Sequence, residues 1–283
     1  MNTLKCSALY HHINIRNDDR IFPCCRFKKP IAKFDGTLTL NSPEYDNIRK
    51  NFHKGLSECQ KCFDEEKTGI KSLRQEFNER YDCENIKLEH LEIGFDNICN
   101  LKCDPCWEDW SWQFGDYKTT TPIVNVPDTI NKITFLGGEP LHTSKHFDFL
   151  KNLNKTNIEV IYTTNGTIFP KKAWIELWDS LEKITFLISI DGYKTLNDKV
   201  RPPSKWNDIM RTLNFLEKKY EVIIQTVVHK NNVHGLNELK EWIDDRKWVV
   251  NILTYPEHMR VDKKILKKAL LNINEKIHRI PIL

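Results

Sequence analysis

From residue 88 onward the chain repeats one pattern: an apolar, β-branched run of strand length, a turn, then a stretch with helical periodicity. The runs are "LEHLEIGF" (88–95), "KITFLGG" (132–138), "EVIYTTN" (159–165), "ITFLISID" (184–191), "YEVIIQTVV" (220–228) and "KWVVNILTY" (247–255). Trp206, Ile209, Met210, Leu213 and Leu216 share one helical face of 206–219, and Leu236, Leu239, Trp242 and Ile243 share one of 235–247. Residues 142–154 and 170–181 fit a helix less cleanly, and 262–277 closes the series with Ile265, Leu266, Ala269, Leu270 and Ile273. Alternation of this kind predicts an α/β fold, a parallel sheet covered by helices. Six units in roughly 170 residues fall short of the eight in a closed barrel of ~250, so an open, partial barrel is expected. A doubly wound sheet would give a similar string, and periodicity does not separate the two. In both, ligands gather at the carboxyl ends of the strands.

Those ends carry unusual residues. After the first run comes "FDNICNLKCDPCW" (95–107), with Cys99, Cys103 and Cys106 spaced C-x₃-C-x₂-C. "GGEP" (137–140) follows the second run, "TTNG" (163–166) the third and "SIDGY" (189–193) the fourth. Glycines here are expected to let a ligand approach the backbone, with Glu139, Asn165, Ser189 and Asp191 converging on one rim. Turn chemistry accounts for any one of these residues taken singly. Four in succession beyond a cysteine triplet point to a site.

The chain has 283 residues, enough for one large domain or a medium one with a small companion. Its net charge of +4, from 43 basic and 39 acidic residues, comes without a basic run or stripe, so nucleic acid is not indicated. No stretch approaches the ~20 apolar residues of a membrane span, and "MNTLKCSALYHH" lacks the layout of a secretory signal. A cytosolic protein is expected, and clustered thiols there suggest metal or catalysis rather than disulfides. All nine cysteines lie in the first 106 residues. Structural zinc wants four protein ligands, usually as two pairs. A C-x₃-C-x₂-C triplet suits three corners of an iron–sulfur cube instead, with one iron left open to a substrate or cofactor.

At this point the sequence resembles the radical S-adenosylmethionine (SAM) enzymes. Their C-x₃-C-x₂-C loop follows the first strand of a partial (β/α)₆ barrel, and the likeness extends to "GGEP", "SIDG" and six βα units. The resemblance implies that Cys99, Cys103 and Cys106 ligate a catalytic [4Fe–4S] cluster whose open iron is chelated by SAM. It implies that an electron from the cluster breaks the C5′–S bond, yielding a 5′-deoxyadenosyl radical that takes hydrogen from a substrate. It implies further that Gly137, Gly138 and Glu139 meet the SAM amino group and that Ser189 and Asp191 meet the ribose hydroxyls. Asn165 and Arg201 are further contacts, Arg201 because a guanidinium suits a carboxylate. One departure is Pro105, where many members have an aromatic or bulky apolar residue; Trp107 would supply that packing.

Residues 1–85 are not barrel-like and resemble the twitch (half-SPASM) modules of many radical SAM enzymes, which usually follow the barrel. Their layout is a cysteine, a hairpin ending in G-x₄-C, and a later C-x₂-C, matched by Cys6, Cys24, Cys59 and Cys62. Asp19 stands at the glycine position, where Asp also tolerates the turn. The resemblance implies a second, auxiliary [4Fe–4S] cluster on these four thiolates, with a Cys₄ zinc site as the alternative. Cys25 either packs or replaces Cys24 as ligand, and Cys83, in the connector, has no assigned role. The expected organisation is therefore an auxiliary-cluster domain and connector over 1–85, a radical SAM partial barrel over 86–260, and a C-terminal helix and tail over 261–283.

The expected activity is reductive SAM cleavage and hydrogen abstraction from a peptide or small-molecule substrate, for oxidative modification. A reducing donor such as flavodoxin or ferredoxin is the expected partner, with no membrane and no nucleic acid. The rival readings are a non-catalytic iron–sulfur or zinc module and an RNA-modifying radical SAM enzyme. The tryptophans of "WEDWSW" (107–112) are expected to shield a cluster or pack. His11 and His12 are expected to alternate along a strand, at most one facing inward, and His142 to lie at the surface.

Overall fold

The computed structural model describes residues 4–67 and 71–273. A short helix α1 (Ala8–His11) leads into β1 (His12–Ile15), which turns back into β2 (Arg20–Phe22) and on to β3 (Ala32–Lys33). Three helices follow, α2 (Pro43–Asn51), α3 (Gln60–Lys67) and α4 (Leu73–Arg80). The barrel unit then alternates: β4 (His90–Gly94), β5 (Lys132–Leu136), α5 (Lys145–Leu153), β6 (Glu159–Thr164), α6 (Lys172–Asp179) and β7 (Lys183–Ser189). It continues with α7 (Thr195–Val200), α8 (Trp206–Leu216), β8 (Glu221–Val228), α9 (Leu236–Ile243), β9 (Trp248–Ile252) and α10 (Lys263–Ile273). All six expected strands are present, and residues 274–277 of the expected closing helix lie outside the described residues. No helix among the described residues is long and apolar enough to cross a membrane.

The nine strands form one sheet in the order β3-β2-β1-β4-β5-β6-β7-β8-β9, with β4 to β9 all parallel. Side chains alternate along each strand, so one face receives Leu91, Ile93, Ile133, Phe135, Val160, Tyr162, Phe186, Ile188, Ile224, Trp248 and Val250, all at or near zero exposure. This face packs against the apolar stripes of the helices, notably Trp174, Trp178, Ile209, Leu213, Leu239 and Ile243. The opposite phase is partly open and carries polar groups, including Glu92, Thr134, Ser189, Gln225 and Asn251. That phase is the inner face of the sheet, away from the helices that cover the apolar phase.

The N-terminal segment shares this sheet while keeping an apolar cluster of its own. β1 runs parallel to β4, with His12 opposite His90 and Ile15 opposite Ile93, so its carboxyl end stands at the same rim as that of β4. Leu9, Phe22, Phe27, Ile48, Phe52 and Phe77 pack with Cys6 beneath it. The turn between β1 and β2 uses Asp19 with φ 65°, the left-handed conformation that Asp tolerates better than most residues. Its carboxylate also accepts hydrogen bonds from Thr121 N (2.7 Å) and Thr121 Oγ1 (2.8 Å), tying the hairpin to the segment after the cysteine loop.

Two expectations need correction. His11 and His12 are both buried, at 2% and 1% exposure, because His11 closes α1 and only His12 belongs to the strand, so the two do not alternate. His11 Nδ1 lies 2.8 Å from Glu89, and His12 Nε2 lies 3.3 Å from Glu92. The helix α7 was not expected at all, being six residues long and without a clear apolar stripe.

Candidate functional site

The site is built from the loop that leaves β4. Asn97, fully buried, donates to Asp116 O (2.8 Å) and accepts from Lys118 N (2.8 Å), which clamps the two ends of the loop together. The loop then lies across the end of β5. Gly138 N donates to Asp96 O (3.1 Å) and Glu139 N to Ile98 O (2.8 Å). A Cβ on Gly138 would stand 2.2 Å from Ile98 O, and one on Gly137, whose φ is +125°, 2.6 Å from Asp96 O. The two glycines therefore admit the backbone of the cysteine loop against the end of β5. Trp112 Nε1 (2.9 Å) and Gln113 Nε2 (3.2 Å) both donate to Cys99 O from the returning segment.

On its far side the loop pairs with the segment after α7. Lys102 N donates to Pro202 O (2.6 Å) and Asp104 N to Val200 O (2.8 Å), so Cys103 stands opposite Arg201. Asn231, beyond β8, donates to Asp104 Oδ2 (2.7 Å). The three cysteines are thereby drawn together. Cys99 and Cys103 pack with Leu101, Cys106 lies against them, and no fourth cysteine joins this group among the described residues. Burial pushes the thiols of Cys99 and Cys106 up to about 12 and raises that of Cys103. Thiols in that state are poor nucleophiles at neutral pH, whereas binding to a cationic metal centre removes the proton.

The other expected residues fall into two bonded pairs around the triplet. Glu139, 2% exposed, accepts from Leu141 N (3.0 Å), Thr164 Oγ1 (2.7 Å) and Asn165 N (2.7 Å), clasping the ends of β5 and β6. Burial raises its carboxyl pKa against those three bonds. Asn165 Nδ2 reaches back to Asn100 in the cysteine loop (2.9 Å). Asp191 accepts from Val227 N (2.7 Å) and is ion-paired with Arg201 at 2.6 Å, both side chains being buried. Both oxygens of Asp191 are thus engaged by the protein. Ser189 stands apart from these pairs, partly open on the inner face beside Gln225. Asn100, Asn97, Glu92 and Gln225 escaped the sequence reading. Glu92 and Gln225 had a signal, polar residues recurring in the inward phase of the strands; the two asparagines had none, being ordinary in a loop.

The N-terminal cysteines meet at a second place. Cys6, Cys24, Cys59 and Cys62 line one small cavity with Phe27, Phe52, Phe77, Arg26 and Arg74. Cys25 is exposed and does not line it, and Cys83 is also absent from its wall. Burial pushes the Cys6 and Cys59 thiols up to about 12 and Cys24 well above its ordinary value. Four sulfurs with cationic neighbours form a donor set that fits a thiolate-ligated centre. Among the described residues no three His, Cys, Asp or Glu donors are gathered closely enough to hold a single ion. His142 is exposed and takes no part, and Trp107 packs edge-on against Trp110 and against Tyr255 (5.2 Å) beyond β9.

Comparison with known proteins gives the same region. Residues 94–243 match the family model described as the Radical SAM superfamily. A probable GTP 3′,8-cyclase of Methanococcus aeolicus is 29% identical over 210 residues, covering 69% of this chain and 67% of that one. The GTP 3′,8-cyclase of Helicobacter pylori is 25% identical over 201 residues, 66% of this chain and 61% of its own. A cysteine-type anaerobic sulfatase-maturating enzyme of Clostridium novyi is 30% identical over 167 residues, 50% and 44% respectively. Among solved structures, anSMEcpe with bound AdoMet aligns with TM-score 0.53 at 22% identity, over 67% of this chain and 57% of that one. SuiB of Streptococcus suis bound to its precursor peptide SuiA aligns with TM-score 0.50 at 17% identity, over 87% and 54%. These likenesses support the fold. The chain spans about three fifths of the length of the Helicobacter pylori relative.

Proposed function

The chain belongs to the radical SAM superfamily, and from that premise we propose that it cleaves S-adenosylmethionine reductively and abstracts hydrogen from a peptide substrate, for oxidative modification. The observation that carries this reading is the gathering of Cys99, Cys103 and Cys106, without a fourth cysteine among the described residues, at the carboxyl rim of the parallel strands. When bound, a [4Fe–4S] cluster on these thiolates supplies the electron and SAM the radical. The chain's own part is positional. Gly137 and Gly138 seat the loop, Glu139 holds the ends of β5 and β6 in register, and Asn165 braces the loop through Asn100. Asp191 and Arg201 close the opposite side. Ser189, with Glu92 and Gln225, lines the inner face, where a cofactor's hydroxyls or a substrate would find polar partners.

The second cavity is read as an auxiliary [4Fe–4S] site on Cys6, Cys24, Cys59 and Cys62, within the module of residues 1–85. Such a site suits an oxidation, since it can take a second electron from a substrate radical. A peptide is preferred because SuiB and anSMEcpe, which share the fold, were both crystallised with peptides; a nucleotide is the second reading, since several relatives are GTP 3′,8-cyclases. Anaerobic reconstitution followed by dithionite and SAM tests the activity: 5′-deoxyadenosine is expected, and its absence from fully loaded protein refutes the proposal. Cys103→Ala should abolish that product and lose about four irons while a further set of about four stays. Cys24→Ser should lose the second set, whereas Cys25→Ser should keep it.

A further inference from the structure

Arg201 is held in an unusual position. Its backbone runs between the two hydrogen bonds that Lys102 and Asp104 make to Pro202 O and Val200 O, directly opposite Cys103. Its side chain is buried, and one nitrogen, Nη1, is committed to Asp191 Oδ2. Its Nε–H is buried without a protein partner, although a buried guanidinium ordinarily has its donors satisfied. Asp191, its counter-ion, also accepts from Val227 N, so its charge is shared. Across the paired backbone stand the cysteines: as thiolates, Cys103 and Cys99 would act on the guanidinium alongside Asp191, with Glu139 also within electrostatic reach.

Resting on the reading that the triplet holds a [4Fe–4S] cluster, we infer that Arg201 sets the reduction potential of that cluster, its fixed positive charge and unpartnered Nε–H favouring the reduced form. A cube on three thiolates is anionic, and reduction adds one more negative charge. Hydrogen bonds and charges beside the sulfurs are recognised controls on such potentials. In a buried, low-dielectric site a single cation acts with little screening. Asp191 then tempers Arg201, and the pair rather than either residue alone defines the field at the cluster.

The test is a redox titration of the reconstituted full-length protein, following the reduced-cluster signal that Cys103→Ala removes. For Arg201→Met the ratio of reduced to oxidised cluster at a fixed poise should fall at least tenfold, equivalent to 59 mV for a one-electron couple. Arg201→Lys, which keeps the charge, should fall less. Asp191→Asn, which frees the cation from its counter-ion, should raise the ratio. A brace that merely holds the loop predicts that breaking the pair from either side does the same thing. Shifts of Arg201→Met and Asp191→Asn in one direction, shifts under twofold in both, or loss of triplet iron from both would overturn the inference while the wild-type cluster stands. Wild-type protein that takes up no cluster at the triplet would overturn the cluster reading and this inference together.

Discussion

Replacing Gly138 by alanine tests whether the end of β5 is what seats the cysteine loop. The new Cβ would stand 2.2 Å from Ile98 O, 2.5 Å from Ile98 C and 2.6 Å from Asn97 C, all backbone atoms that no side-chain rotation can move away. Real Cβ atoms essentially never come within 3.0 Å, so the 97–98 peptide must retreat by roughly 0.8 Å or more in a packed region with little give. That retreat pulls on the two bonds the strand end makes to the loop, Gly138 N to Asp96 O and Glu139 N to Ile98 O. Losing both, at about 1 kcal/mol each, and leaving their buried groups short of partners, at about 1–3 kcal/mol, puts the cost near 3–5 kcal/mol. Cys99 follows Ile98 directly, so the displacement reaches the first ligand. The expected result is a lower denaturation midpoint, together with loss of about four irons from the triplet and of 5′-deoxyadenosine formation. Gly55→Ala is the control: nothing lies within 4 Å of its Cβ, and only its φ of +77° opposes the change, for about 1–2 kcal/mol. If Gly138→Ala costs no more than Gly55→Ala and keeps its triplet iron, the loop is not seated as argued.

His146 offers a pH test away from the metal sites. It is 2% exposed, lies 2.8 Å from Tyr162 Oη, and burial pulls its imidazole down to about 3. The unfolded chain therefore binds a proton between about 6.5 and 3 that the native state refuses, and stability falls as pH drops through that window. At pH 5 the loss should be about 2 kcal/mol, at ~1.4 kcal/mol per pH unit. Urea midpoints at pH 7 and 5 should show that loss in the wild type and lack it in His146→Gln; equal pH dependence in both proteins would contradict the burial argument. Asp19→Ala should cost about 2–3 kcal/mol, from two hydrogen bonds to Thr121 and a left-handed backbone without a suited side chain. Asp19→Asn should recover more than half of that in the same denaturation assay, and an alanine variant as stable as wild type would contradict the role given to that turn.

The barrel strands were legible because burial in a strand alternates with a period of two, a local property that needs no knowledge of neighbours. Ile133 and Phe135, or Ile224 and Val228, announce their face within a few residues. The cysteine triplet was legible for a similar reason, since its spacing lies within one loop. What was not legible were partners far along the chain. Gly137 and Gly138 are expected to let a ligand approach, and nothing in their own segment shows that they also lie against the backbones of Asp96 and Ile98, about forty residues earlier. Asp191 is expected to meet hydroxyls, and only the fold shows that Val227 and Arg201 also engage its two oxygens.

The amino-acid sequence by itself determined the period of each barrel strand, the three-thiolate loop at its rim and the four further cysteines before it, because these are spacings written within short segments. Only the tertiary structure decided that β1 joins the edge of β4, that Cys24 rather than Cys25 turns into the second cavity, and that Arg201 stands opposite Cys103. Those are contacts between distant segments, set by the order in which strands pair and by which backbone groups find partners once the sheet has formed.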